Sequence, residues 1–379
     1  MDTGRLHDEL RAALMDWITG TDSLSSEPAA GSERFEALAA RCFGFQYATV
    51  APYRAYCDAL ERTPRNVTRW QDIPVVSTRA FKEWEFTSLP VGQRRWVFHS
   101  SGTTGEARSR HYHDEHSLAL YEASLLKWFA MHFRAEASAG ASPAFICLVP
   151  RADTVPHSSL AHMFAAVAKA YGCGEPAWCA AVEADGSWAL LTETAMEGLA
   201  RAQATGRPTV VLGTAFSFVH LLDGLAAHRA RFVLPPSSAI LETGGYKGRS
   251  RELPKVQLHE GIAAALGLPA GVIVCEYGMS ELSSQAYDRV AGPAAGAARC
   301  FRFPPWARPL VVNPETGQEV PDGAVGVLRV FDLANLRSVL AVETEDLARR
   351  CGRGFELLGR TAMAERRGCS LMQREEVPP

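Results

Sequence analysis

Apolar residues recur at helical spacing from the start of the chain. Leu6, Leu10, Ala13, Leu14, Trp17 and Ile18 fall on one stripe and predict an amphipathic helix within residues 1–20. Residues 21–32, rich in Ser, Gly and Pro, read as a linker, after which Phe35, Leu38 and Ala39 restart the helical pattern. Tyr53, Tyr56, Cys57 and Leu60 suggest a further helix that ends before Thr63 and Pro64. The pattern then changes. Short apolar runs predict strands at 96–98, 144–149, 209–213, 239–242 and 272–275. A helix presenting Leu118, Tyr121, Leu125, Trp128 and Phe129 follows the first run, and helical stretches at 160–171, 216–228 and 252–266 separate later ones. This alternation predicts an α/β fold with mostly parallel sheets flanked by helices. Residues 291–309 read as a long surface crossing, with further strands expected at 325–331 and 339–342. In such sheets ligands bind beyond the carboxyl ends of the strands, which here are the turns after Phe98, Gly213, Glu242 and Cys275.

Composition narrows the functional classes. With 379 residues, 47% of them hydrophobic, the chain can bury a large core in two or three domains. A net charge of -3 gives no basic excess for a nucleic-acid backbone or an anionic membrane. No apolar run approaches the roughly 20 residues of a membrane span, and the first helix is charged throughout, unlike a signal peptide, so a cytoplasmic location is expected. The nine cysteines are scattered without a Cys-x-x-Cys pair, which argues against a zinc site and a disulfide framework. Most are expected to be reduced and buried. His111 and His113, either side of Tyr112, are expected to serve on a surface or in a loop rather than as metal ligands.

The stretch 98–110, Phe-His-Ser-Ser-Gly-Thr-Thr-Gly-Glu-Ala-Arg-Ser-Arg, is not one a hydrophobic core requires. Gly102 and Gly105 let the backbone turn its N–H groups inward, and Ser100, Ser101, Thr103 and Thr104 add hydroxyl donors. Arg108 and Arg110 add charge for phosphate oxygens, which makes ATP the obvious ligand. No Gly-Lys-Ser/Thr closes the loop, so it is not a Walker motif. Downstream come Glu242-Thr243-Gly244-Gly245-Tyr246-Lys247-Gly248, Glu276-Tyr277-Gly278-Met279-Ser280-Glu281, Thr344-Glu345-Asp346, Gly359-Arg360 and Arg367-Gly368-Cys369-Ser370-Leu371.

In these motifs and their order the chain resembles the adenylate-forming, carboxylate-activating superfamily. Within it the LuxE-like acyl-protein synthetases are most similar, with phenylacetate-CoA ligases more distant. The resemblance spans roughly residues 70–372. It implies an adenylate-binding α/β core at 96–355, preceded by a helical region at 1–95 and followed by a short segment, 356–379, in place of a full C-terminal domain. It implies that Ser100 to Gly105 hold the β- and γ-phosphates of ATP, with Arg108 or Arg110 in place of a lysine. Tyr277 offers a face for adenine, Ser280 a hydroxyl for the α-phosphate, and Glu281 a hard oxygen ligand for Mg²⁺. Glu276 and Gly278 belong to the same motif. Gly244 and Gly245 would admit the adenine edge, and Lys247 would face phosphate or carboxylate. Asp346 is similar to the family's ribose-binding aspartate, although Thr-Glu-Asp departs from the commoner Thr-Gly-Asp, and Arg360 to its ribose-contacting arginine. Thr214, Phe216, Tyr246 and Met279 lie beside motif residues as candidates for an acyl pocket that suits a fatty chain or an aromatic ring.

The implied activity is ATP- and Mg²⁺-dependent conversion of a fatty or aromatic acid to an acyl-adenylate, then to a thioester. Cys369 stands in the family's thiol motif, and the receiving partner would be a reductase, an acyltransferase or a carrier protein. A phenylacetate-type acyl-CoA ligase and a non-catalytic nucleotide-binding subunit of a reductase complex are the alternatives.

Overall fold

Three runs, Thr209–Thr214, Ala239–Thr243 and Ile273–Tyr277, are buried along almost their whole length, as parallel strands covered on both faces must be. In the computed structural model, which describes residues 2–20, 29–100, 107–133, 142–244, 253–292 and 299–360, they form the centre of a six-stranded sheet. Its spatial order is Ala286–Tyr287, Ile273–Tyr277, Ala239–Thr243, Thr209–Thr214, Ala144–Cys147, Ala177–Trp178, and only the first of these runs antiparallel to its neighbour. Thr214 pairs with Thr243, and Thr243 with Glu276, so the central strands finish at one common edge.

Helices Glu115–Phe133 and Ser159–Tyr171 cover one face around Phe98, Phe145, Leu212 and Val274. Helices Thr192–Thr205, Ala215–Ala227 and Lys255–Leu266 cover the other around Ile146, Val211, Phe218 and Ile240. Local chemistry sets the helix ends. Thr214 accepts a hydrogen bond from Ser217 N while Ser217 reaches back to the cap, and Gly267, at φ 63°, stops the helix that leads into Ile273.

A second sheet runs Ala307–Val312, Val325–Asp332, Ala341–Cys351 and Gly354–Arg360 as an antiparallel meander, with Val76–Ser77 added in parallel. The parallel pairing expected from the sequence therefore dominates the six-stranded sheet and enters the second sheet only through Val76–Ser77. Connections between the four meander strands contain no helix, and without a crossover neighbouring strands return antiparallel. Helices Thr3–Thr19, Ala29–Thr49 and Ala51–Ala59 pack here, where Leu10, Trp17, Phe35 and Phe43 join Val330 and Phe331 in one apolar cluster. No helix among the described residues is long and apolar enough to cross a membrane.

Two expectations are corrected. Trp96–His99 is followed by a return strand, Arg110–His113, before the helix begins, so the Ser/Thr/Gly stretch bridges a hairpin. The two-residue period of that strand buries both histidines, His113 against Phe98 and Tyr121 and His111 against the His113 ring, not at a surface or in a loop. The second correction concerns the cysteines. Cys300 and Cys351 form a disulfide across a sequence separation of 51, brought together where Phe301 bridges to Phe355, whereas the other six described cysteines are free.

Candidate active site

The base of the Ser/Thr/Gly loop is closed by reciprocal bonds. Ser109 N donates to Ser100 Oγ at 3.0 Å, and Ser100 N donates to Ser109 O at 3.3 Å. Ser109 is buried, and its hydroxyl lies 3.4 Å from that of Ser280 in the turn after Ile273–Tyr277. Two motifs separated by 171 positions thus meet at one point. Arg108 and Arg110 line a cleft of about 410 Å³ with Lys82, His99 and Ala107. Their situations differ: Arg110 pairs with Glu85 at 3.1 Å, while Arg108 is exposed and makes no ion pair among the described residues. Glu85 also accepts from Tyr112 and Arg94, which together hold its carboxyl below the usual range. Ser101, Gly102, Thr103, Thr104 and Gly105 lie outside the described residues, as do Gly245, Tyr246, Lys247 and Cys369.

At the turn itself Ser280 donates to Glu281 Oε2 at 3.0 Å. Glu281 is buried, and among the described residues no cationic side chain pairs with it. Its backbone oxygen is held by Asn335 Nδ2 at 2.8 Å. Asn335 belongs to a network the sequence did not reveal. Asp332, fully buried at the end of a second-sheet strand, accepts from Ser283 N (2.8 Å), Ser284 Oγ (2.8 Å) and Ala334 N (3.1 Å). Burial pushes its carboxyl up to about 6, against the pull of these donors. The available signal was the placing of Asp332 and Asn335 among the apolar residues Val330, Phe331, Leu333, Ala334 and Leu336.

Tyr277 donates from its hydroxyl to Asp346 Oδ2 at 2.7 Å. Its ring stands edge-on to Phe301, Phe303 and Phe355. Asp346 lies opposite Arg360 in the strand register, with Oδ1 3.9 Å from Arg360 Nε. Asp346 N donates to Thr344 Oγ1, and Glu345 forms an ion pair with Arg79, which gives this departure from the commoner motif a partner of its own. Tyr277, Asp346 and Arg360 are thereby brought together.

Glu276 turns to the opposite face of its strand, where it accepts from Thr243 Oγ1. Burial pushes its carboxyl up to about 7, with Glu242 adding to the shift and Thr243 opposing it. A Cβ at Gly278 would stand 2.3 Å from Glu276 Oε1, so a side chain there forces the Glu276 carboxylate to shift. Gly244, at φ 69°, occupies the left-handed region that favours glycine. Of the acyl-pocket candidates, Thr214 caps a helix, Phe216 is half-buried against the His220 ring, and Met279 packs beside the second-sheet cluster.

The fold has known counterparts. An open conformation of 2-hydroxyisobutyryl-CoA ligase in complex with 2-HIB-AMP and CoA superposes with a TM-score of 0.59 at 14% identity, covering 91% of this chain and 82% of that chain. The same ligase in the postadenylation state with 2-HIB-AMP gives a TM-score of 0.61 at 14% identity, over 89% of this chain and 69% of that one. At such identities the likeness establishes the adenylate-forming fold. Among curated proteins none matches the sequence. The profile of the acyl-protein synthetase family, LuxE, matches residues 11–377, and the chain belongs to that family of AMP-forming ligases.

Proposed function

We propose that this protein activates a fatty or aromatic carboxylic acid with ATP and passes the acyl group to a protein thiol for a partner reductase, acyltransferase or carrier protein. The observation that carries the reading is the meeting of Ser109, Ser280 and Glu281 at the carboxyl edge of the central strands, beside Tyr277 and Asp346. A carboxylate oxygen attacks the α-phosphorus, the bond to the β-phosphate oxygen breaks, and pyrophosphate leaves. The chain contributes alignment and charge neutralisation to that displacement. Ser100 to Gly105 and Arg108 hold the departing phosphates, Ser280 the α-phosphate, Asp346 and Arg360 the ribose, and Tyr277 the adenine. Glu281, a buried carboxylate with no cation paired to it among the described residues, suits a Mg²⁺ ion, which neutralises phosphate charge when bound. In the second step the Cys369 thiolate attacks the acyl carbonyl, AMP leaves, and a thioester results.

The test is acid-dependent release of pyrophosphate together with covalent labelling by radiolabelled acid. Wild-type protein should acquire hydroxylamine-sensitive label that Cys369→Ser lacks. Label of equal extent on Cys369→Ser would remove the cysteine assignment. Pyrophosphate release that instead needs CoA would move the acceptor to CoA, the thiol bound in the ligase complex that shares this fold.

A further inference from the structure

Behind the nucleotide edge, on the face of the sheet covered by Lys255–Leu266, three chemically different ligands converge. Glu242 and Cys275 are register partners on adjacent strands, and His259 comes down from the helix above them. Glu242 Oε2 lies 3.4 Å from His259 Nε2 and 3.0 Å from Cys275 Sγ, and that sulfur is 3.7 Å from His259 Nε2. All three residues are buried. For tetrahedral bonds of ordinary zinc length, neighbouring S, N and O ligands stand roughly 3.4 to 3.6 Å apart. Two edges of the triangle already match, and the third must open by roughly 0.6 Å.

We propose that Glu242, His259 and Cys275 form a site for a Zn²⁺-class transition-metal ion that ties the helix Lys255–Leu266 to the two strands leading into the nucleotide-binding turns. One soft sulfur, one imidazole and one carboxylate select zinc or cobalt over Mg²⁺, which prefers an all-oxygen shell. The site is therefore separate from Glu281. Binding displaces the thiol proton of Cys275 to solvent as the metal–sulfur bond forms.

Two cations border the site and define its competition. Lys255 Nζ lies 3.4 Å from Cys275 Sγ and 3.8 Å from Glu242 Oε2, on a side chain that is half exposed. Arg299 Nη1 lies 3.4 Å from the same sulfur but is held by Asp288, whose other oxygen accepts Cys275 N. Lys255, at the first turn of its helix, can turn to solvent and yield its place, whereas Arg299 stays with Asp288. An ammonium and a metal ion thus compete for the same two acceptors.

The experiment is Co²⁺ titration of the chelator-stripped full chain, followed by its absorption spectrum and thermal unfolding. One ion per chain should bind, with a sulfur-to-cobalt charge-transfer band, four-coordinate visible bands and a raised Tm. Cys275→Ser should abolish the charge-transfer band, and His259→Gln should weaken binding at least about tenfold. Lys255→Ala, which keeps all three ligands, should strengthen binding, and it also serves if the core variants fail to fold. A charge-transfer band unchanged in Cys275→Ser, binding unaffected by both His259→Gln and Lys255→Ala, or no stoichiometric cobalt on the folded wild type would each overturn the proposal.

Discussion

Asp332→Ala tests how the second sheet holds the turn that carries Ser280 and Glu281. The native carboxylate satisfies Ser283 N, Ser284 Oγ and Ala334 N, and the substitution leaves three buried donors without an acceptor. At about 1–3 kcal/mol for each orphaned group, set against the relief of a buried charge, the net loss should be about 3 kcal/mol at pH 7. The pH dependence is distinctive. With its folded value pushed up to about 6 from 3.8, Asp332 contributes stability that is fully present below the unfolded value and lost as pH rises through about 6. The gap between wild type and Asp332→Ala should therefore widen by on the order of 3 kcal/mol as pH falls from 7 to 4, because groups common to both proteins cancel. Urea denaturation at several pH values measures this directly. A gap below about 1 kcal/mol at pH 7, or one that does not change with pH, would refute the anchoring argument.

Three further substitutions separate positioning from charge. Arg108→Ala should raise the KM for ATP by about tenfold, and Arg110→Ala by less, because Arg110 is already paired with Glu85 while Arg108 makes no ion pair among the described residues. Steady-state kinetics at saturating acid would show it, and equal effects would contradict the distinction. Gly278→Ala places a methyl 2.3 Å from Glu276 Oε1 and should displace that carboxylate from Thr243 Oγ1, costing about 1 kcal/mol of stability by thermal or urea unfolding; a neutral result would mean that the Glu276 side chain shifts without loss of its bond.

The central strands were legible in the sequence because parallel strands buried on both faces leave unbroken apolar runs, and Thr209–Thr214 and Ala239–Thr243 extend the predicted runs by one residue each. The helix Ser159–Tyr171 was equally plain from its periodicity. The hairpin around the Ser/Thr/Gly loop was not, because Arg110 to His113 is polar in every position and carries no apolar alternation to mark it as a strand. The burial of its histidines is visible only once Phe98 and Tyr121 are seen to face His113. Groups assembled from distant positions were likewise hidden. Glu242, His259 and Cys275 meet through strand register and one helix, Cys300 reaches Cys351 through a strand bridge, and Asp332 finds its donors 48 and 49 positions away. No spacing rule connects such residues, since tertiary packing alone sets their neighbours.

The most direct measurement is ATP–pyrophosphate exchange across a panel of fatty and aromatic acids, with wild type and Glu281→Ala side by side. Exchange with one class of acid, reduced at least about a hundredfold in Glu281→Ala while the fold persists by circular dichroism, is the predicted result. Measurable ATP binding without exchange for any acid, or full exchange in Glu281→Ala, would contradict the account.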